Sequence, residues 1–377
     1  MIHEVRFSLA DPIFTIAFLG LTVVVGQGAG ESGSACNQME PFFKPPAEFA
    51  RDSGKYTSPL TFEDGRVVGT VAEWARRRKE ILNYWHKVMG PWPVLIESPK
   101  VEHLARTRRE NFTQHRVRVE IASGQMADGY LLVPDGSGPF PAVLVPYYEP
   151  ETSVGLSTNK LRDFGYQLAK RGYVTLSIGS PGGDARQPAT GEVNCQPLSF
   201  LAYVMANCCN ALASLREVDP KRIGIVGHSY GGKWAMFAAC LYDRFACGAW
   251  SDPGIAFDEA RPNVNYWEPW YLGQDVEVRR KPGVPTQDNP RTGAYKALFE
   301  SGHDLHELQA LMAPRPFLVS GGSEDPPSRW QALNQVVAVN RLLGYTNRVA
   351  MTSRPGHTPT PESNEQIYRF FDCFLAR

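Results

Sequence analysis

The chain has 377 residues, 43% of them apolar and 21% charged, which is enough apolar material for a large folded core. Its 39 Lys and Arg balance 39 Asp and Glu. The basic excess that a nucleic-acid binder needs to displace phosphate counterions is therefore missing, as is a surface suited to anionic membranes. With 8 Trp, 19 Phe and 15 Tyr the composition is not that of a disordered chain.

At the amino terminus His3, Glu4 and Arg6 lead into an apolar run from Ile13 to Val25, followed by small residues from Gly26 to Gly30. A run that short, closed by small residues, reads as an export signal over residues 1–30 and not as a membrane span of about 20 residues. The expected location is secreted or periplasmic, with an uncleaved anchor as the alternative. Residues 31–114 read as a lead-in, rich in Pro, Gly and Ser as far as about 68, with one helix over 71–88. In that helix Val71, Trp74, Ile81, Leu82, Trp85 and Val88 recur at helical spacing, and Gly90-Pro-Trp-Pro93 ends it. Its basic run Arg76-Arg77-Arg78-Lys79 reads as a solvated face.

From 115 to the end the rhythm is that of an α/β domain. Val117–Ile121 alternates like a half-buried strand, and Tyr130–Val133 follows Asp128-Gly129, a hairpin signal. Short continuous apolar runs follow at Ala142–Val145, Tyr173–Ser177, Ile223–Val226, Cys247–Trp250, Phe317–Val319 and Arg348–Met351. Helical patterns lie between most of them, at 158–171, 198–216, 230–241, 328–343 and 361–375. Buried strands alternating with helices predict a mainly parallel sheet covered on both faces. Residues 253–302, with Trp267, Trp270 and many Pro and Gly, break the rhythm and read as an insertion over the strand ends.

The seven cysteines (36, 195, 208, 209, 240, 247 and 373) contain no C-x-x-C pair, so zinc and thioredoxin-like readings fall away. In an exported chain Cys195 would pair with Cys208 or Cys209, while Cys240 and Cys247 sit in apolar sequence and read as core. Asn111-Phe-Thr113 is a glycosylation sequon, meaningful only in a glycosylating host.

The most informative segment is Gly227-His228-Ser229-Tyr230-Gly231, a G-x-S-x-G placed after a predicted strand and before a predicted helix. Such a strand must reverse sharply into its helix, which exposes the central hydroxyl and aims the helix N-terminus at developing negative charge. Ser229 therefore reads as a nucleophile. A base is then needed, and His is the side chain that accepts and returns a proton near neutral pH. In α/β-hydrolases, which this elbow resembles, the order is Ser, acid, His. His357, in the turn Arg354-Pro-Gly-His-Thr-Pro359 between the last strand and the last helix, fits the base. His303 and His306 read as buried hydrogen-bonding residues. Two acids are open: Asp325, in Gly321-Gly-Ser-Glu-Asp325, which is favoured, and Asp252, in Trp250-Ser-Asp-Pro253. Oxyanion donors are expected from the backbone N–H of Tyr230 and from Tyr147 or Tyr148, in Pro146-Tyr-Tyr-Glu-Pro150.

Three stretches resemble the carbohydrate-esterase branch of the α/β-hydrolase fold, in particular glucuronoyl esterases and acetyl xylan esterases. They are Ser229-Tyr-Gly-Gly-Lys233, the position of Asp252, and Asp304-Leu-His-Glu-Leu-Gln-Ala-Leu-Met-Ala-Pro-Arg-Pro316. The likeness covers residues 115–377. It implies a serine esterase acting through an acyl-enzyme on an acetyl or uronate ester of a polysaccharide, with no metal or organic cofactor, no nucleic acid and no stable membrane partner. By resemblance Lys233 would bind sugar hydroxyls, and Trp267 or Trp270 would offer an aromatic platform. Two departures stand out. Tyr230 occupies the place where glucuronoyl esterases carry an oxyanion-stabilising Arg. His228 and Thr358 stand where some members place cysteines. The alternatives are a prolyl-oligopeptidase-like serine peptidase, for which the lead-in is too short to form a gate, and a non-catalytic carbohydrate-binding relic.

Overall fold

The computed structural model describes residues 28–376. The apolar run Ile13–Val25 lies outside the described residues, and Gly28–Gly30, assigned above to the export signal, begin a helix. The lead-in contributes α1 (Gly28–Met39) and α2 (Val71–Met89). An antiparallel meander follows: β1 (Val101–Arg109), β2 (Phe112–Ala122) and β3 (Gln125–Pro134). Strands and helices then alternate through β4 (Phe140–Leu144), α3 (Pro150–Ser153), α4 (Phe164–Lys170), β5 (Val174–Ile178), α5 (Pro197–Ala213), β6 (Val218–His228) and α6 (Tyr230–Leu241). The chain continues with β7 (Cys247–Ser251), α7 (Gly293–Glu300), α8 (Leu305–Ala310), β8 (Phe317–Gly321), α9 (Trp330–Leu342), β9 (Val349–Ser353) and α10 (Pro361–Phe374).

These strands form one sheet in the order β1-β2-β3-β5-β4-β6-β7-β8-β9. Pairing is antiparallel from β1 to β5 and parallel from β5 through β9. This is the expected α/β architecture. The apolar runs β5, β7 and β8 are buried along their whole length because helices cover both faces. Side chains along β4 alternate between two cores. Ala142 and Leu144 join the one shared with α2, α5, α6 and α9, while Val143, with Val145 just beyond the strand, joins the one shared with α4 and α10.

Several boundaries move. The sheet begins at Val101, so the domain boundary read at 115 falls inside β2. Strand β1 (VEHLARTRR) was not legible because it is an edge strand, exposed over most of its length, and charged side chains suit such an edge. The Asp128-Gly129 pair is not a turn. The β2–β3 reversal falls at Ser123-Gly124, and Gly129 lies within β3 opposite Ile178 of β5. The helix read over 158–171 starts only at Phe164. The basic run of α2 is solvated only in part. Arg77 is buried beside Glu80, and Arg78 donates to the Leu311 carbonyl and to Asp243.

The expected Cys195 pairing is also corrected. Cys36 of α1 is bonded to Cys373 of α10, and Cys195, Cys208 and Cys209 are buried thiols along with Cys240 and Cys247. Cys195 precedes α5, whereas Cys208 and Cys209 lie within it. Among the described residues no helix is long and apolar enough to cross a membrane.

The 337-residue separation of Cys36 and Cys373 makes their bond a restraint on nearly the whole chain. Replacing both with Ser is expected to lower stability by about 2–4 kcal/mol. Reductant should produce the same fall in melting temperature in the unsubstituted protein and none in the double variant.

Candidate active site

Four neighbouring parallel strands deliver the site from their carboxyl ends: Ser229 after β6, Asp252 after β7, Asp325 after β8 and His357 after β9. Ser229 has φ 55° and ψ −113°, the left-handed conformation of a residue that turns a strand abruptly into a helix. Two positions before and after it only glycine serves. A Cβ on Gly227 would strike the Gly231 carbonyl, and one on Gly231 would strike that of Pro146.

The Ser229 hydroxyl lies 2.9 Å from His357 Nε2, and Nδ1 of the same ring lies 2.8 Å from Asp252 Oδ2. With the Nδ1 proton donated to the carboxylate, Nε2 is left to accept from the serine. Asp252 is fully buried. Its Oδ1 accepts from the backbone N–H of Gly322 at 2.7 Å, Asp325 at 2.8 Å and Glu324 at 3.2 Å. One oxygen thus fastens the loop after β8 while the other faces the imidazole.

The preference for Asp325 is therefore corrected. Its carboxylate is turned away from His357 and accepts from Gly254 N at 2.8 Å and Ile255 N at 2.6 Å, with Arg329 Nε 3.6 Å away. Burial pushes this carboxyl up to about 6 against the pull of Arg329, and the neighbouring Asp252 charge adds to the rise. It braces the loop that follows Asp252.

Behind the triad lies a buried polar layer that sequence reading missed. Arg354 donates to the His357 carbonyl at 2.7 Å, the Thr358 carbonyl at 3.0 Å, the Ser320 carbonyl at 2.8 Å and the Ser251 hydroxyl at 3.1 Å. It ties the His357 turn to the ends of β7 and β8. The Ser251 hydroxyl is in turn 3.1 Å from Nδ1 of His228, whose ring centroid sits 4.7 Å from that of His357. Burial holds His228 well below the usual histidine range, so a neutral ring packs beside His357. Arg354 stood in the quoted turn, but nothing in its spacing marks an inward-pointing guanidinium.

Other assigned residues fall elsewhere. Lys233 is not at the opening. It is 2% exposed, and its Nζ donates to the Pro253 carbonyl at 2.5 Å and the Asn263 carbonyl at 2.9 Å, over the Tyr266 ring. Burial lowers it to about 8, opposed by the carboxylates of Asp325, Glu324 and Asp252. Trp267 is buried against Tyr295 and presents no platform, whereas Trp270 is half-buried with the Arg186 guanidinium 5.5 Å from its ring. His303 bonds Glu307, and His306 bonds the Thr57 carbonyl.

On the loop after β4, the Tyr147 N–H is directed to the Ile178 carbonyl at 3.3 Å. That leaves Tyr148, whose ring stacks on Tyr230, as the residue of this pair suited to an oxyanion donor. Among the described residues one set of three potential metal ligands comes within 4.8 Å, namely Asp252, Glu324 and His357. Two of its members are the hydrogen-bonded pair just described.

The geometry separates the two acids experimentally. Asp252→Asn is expected to cut kcat by about 10⁴-fold, since the imidazole then loses its tautomer and its counter-charge. Asp325→Asn should act chiefly on the Gly254–Ile255 loop, lowering the melting temperature while costing less than about tenfold in kcat. Steady-state kinetics and thermal melting of both variants check this.

Residues 101–245 match a family model described as Esterase FrsA-like, and residues 204–377 match that of the Prolyl oligopeptidase family. A Bacillus subtilis protein named hydrolase YtaP is 25% identical over 325 residues, covering 80% of this chain and 99% of its own. A 4-O-methyl-glucuronoyl methylesterase of Neurospora crassa is 23% identical over 345 residues, covering 86% of this chain and 82% of its own. A solved glucuronoyl esterase from Solibacter usitatus superposes with a TM-score of 0.67 at 18% identity, over 84% of this chain and 97% of that one. By its strand order and its elbow the chain has the α/β-hydrolase fold, and it is similar to proteins named as glucuronoyl esterases.

Proposed function

We propose that this protein is a serine esterase that hydrolyses an acetyl or uronate ester on a polysaccharide or oligosaccharide through an acyl-enzyme. The observation that carries the reading is the unbroken chain of contacts from Ser229 Oγ through both nitrogens of His357 to Asp252.

In the first half-reaction Ser229 Oγ attacks the ester carbonyl carbon while His357 Nε2 takes its proton. Asp252 stabilises the imidazolium without itself becoming protonated. The N–H groups of Tyr230 and Tyr148 receive the developing oxyanion. Collapse breaks the ester C–O bond, and the alcohol leaves with the proton from Nε2. Water, deprotonated by the same nitrogen, then attacks the acyl-enzyme and releases the acid and free Ser229.

The carbohydrate part of the proposal draws support from the relatives named for glucuronoyl ester hydrolysis. Tyr230, at the position where the resemblance to glucuronoyl esterases implies an Arg, weighs toward acetyl esters. Export to a secreted or periplasmic site, supported by the Cys36–Cys373 bond and the apolar run near the amino terminus, belongs to the same proposal. A peptidase reading has one observation in its favour, the match of 204–377 to the prolyl oligopeptidase family. That segment carries the nucleophile and triad, which esterases and peptidases hold in common.

The test compares acetylated xylooligosaccharide, methyl glucuronate and a peptide amide as substrates. Turnover of one of the two sugar esters, lowered on the order of 10⁴–10⁶-fold in kcat by Ser229→Ala, is the expected result. Cleavage of the peptide amide alone would replace the proposal with the peptidase.

A further inference from the structure

The two backbone donors assigned to the oxyanion belong to separate elements, Tyr148 on the loop after β4 and Tyr230 at the first turn of α6. Whether both reach one oxygen depends on what holds those elements at a fixed spacing. Their own side chains do so. The Tyr148 and Tyr230 rings stack with centroids 4.7 Å apart and planes 16° from parallel. Ser180, just beyond β5, closes the circuit. Its N–H donates to the Tyr148 carbonyl at 3.0 Å, and its hydroxyl donates to the Tyr230 hydroxyl at 3.2 Å. Tyr230 is 1% exposed and also packs on Trp234 and Tyr271, so it is the fixed partner. Tyr148 is 40% exposed, and its aromatic ring partners among the described residues are Tyr147 beside it and Tyr230. The backbones meet independently where the Pro146 carbonyl sits on Gly231, at a distance no Cβ would allow.

We propose that the Tyr148–Tyr230 stack, closed by Ser180, sets the spacing of the two oxyanion donors, so that these side chains are positioning residues for the reaction. This rests on the esterase reading above. It also gives the residue after the nucleophile a purpose different from that of a charged side chain there. Tyr230 supports the donors mechanically, by a ring turned inward, and adds no cationic donor of its own.

The ring, not the hydroxyl, is the working part of Tyr148, and that makes the idea testable on the full chain with p-nitrophenyl acetate. Tyr148→Ala is expected to lower kcat by about 10–100-fold, less than deleting a donor outright, with KM within about threefold. Affinity for a phenylboronic acid, which forms a tetrahedral adduct on serine, should fall in parallel with kcat. Tyr148→Phe should recover most of the loss, and Ser180→Ala should show a smaller fall of the same kind.

Three outcomes overturn the proposal. One is a Tyr148→Ala kcat within about twofold of the unsubstituted protein. Another is a loss confined to KM, which would make the ring a substrate contact. The third is a Tyr148→Phe variant as impaired as Tyr148→Ala, which would move the effect to the hydroxyl. Failure of the esterase reading looks different. The unsubstituted protein would then neither turn over any ester nor be labelled at Ser229 by a fluorophosphonate, and the proposal would fall with it.

Discussion

The Asp252 carboxylate is the join on which the rest of this site depends. A buried carboxylate without partners costs several kcal/mol, so it persists only where its lone pairs are met. Here one oxygen takes the amides of the loop after β8 and the other takes the imidazole carried by the loop after β9. Loops from three adjacent strands therefore converge on one group. Asp325 returns the favour in the opposite direction. Its N–H is given to Asp252, and its carboxylate receives the amides of Gly254 and Ile255, just beyond Asp252. The two acids brace each other's loops, and the orientation of His357 follows from that mutual fastening.

Around this join the buried polar groups work as supports. Arg354 ties the His357 turn to Ser320 and Ser251, and Lys233 ties the chain after β7 to the insertion through two carbonyls. Each is a cation paired with oxygens in a dry setting, where such bonds are short and strongly directional. The wall beside the nucleophile is aromatic instead, with the Tyr230 ring in contact with both Tyr148 and Tyr271. The site thus has a hydrogen-bonded polar side and an aromatic side, of which Tyr148 is the exposed ring.

The architecture was legible because buried parallel strands read as short continuous apolar runs and the helices between them keep their period. Strand β1 was hidden because both of its faces are polar. Asp128-Gly129 misled because a turn-forming pair is also tolerated within a strand. The lead-in was read as irregular, yet it is stitched to α9 by Asn334 and Gln335, which donate to the carbonyls of Phe49, Asp52 and Tyr56. Such side-chain-to-backbone bonds have no periodic signature. Trp267 and Lys233 were assigned to substrate by resemblance, but the direction of a side chain decides its contacts, and both point inward.

The sequence by itself determined that this is an α/β chain with a serine elbow and a late histidine, because a strained strand-to-helix turn admits glycine at fixed offsets and nothing larger. It also limited the acid to two candidates. Only the tertiary structure decided between them. Asp252 and Asp325 follow neighbouring strands and are equivalent in any linear reading, and what separates them is which carboxylate faces the imidazole and which faces backbone amides. The same holds for the cysteines and for the stacked tyrosines. A pairing or a spacing between residues far apart in the chain is a property of packed elements, and no local pattern encodes it.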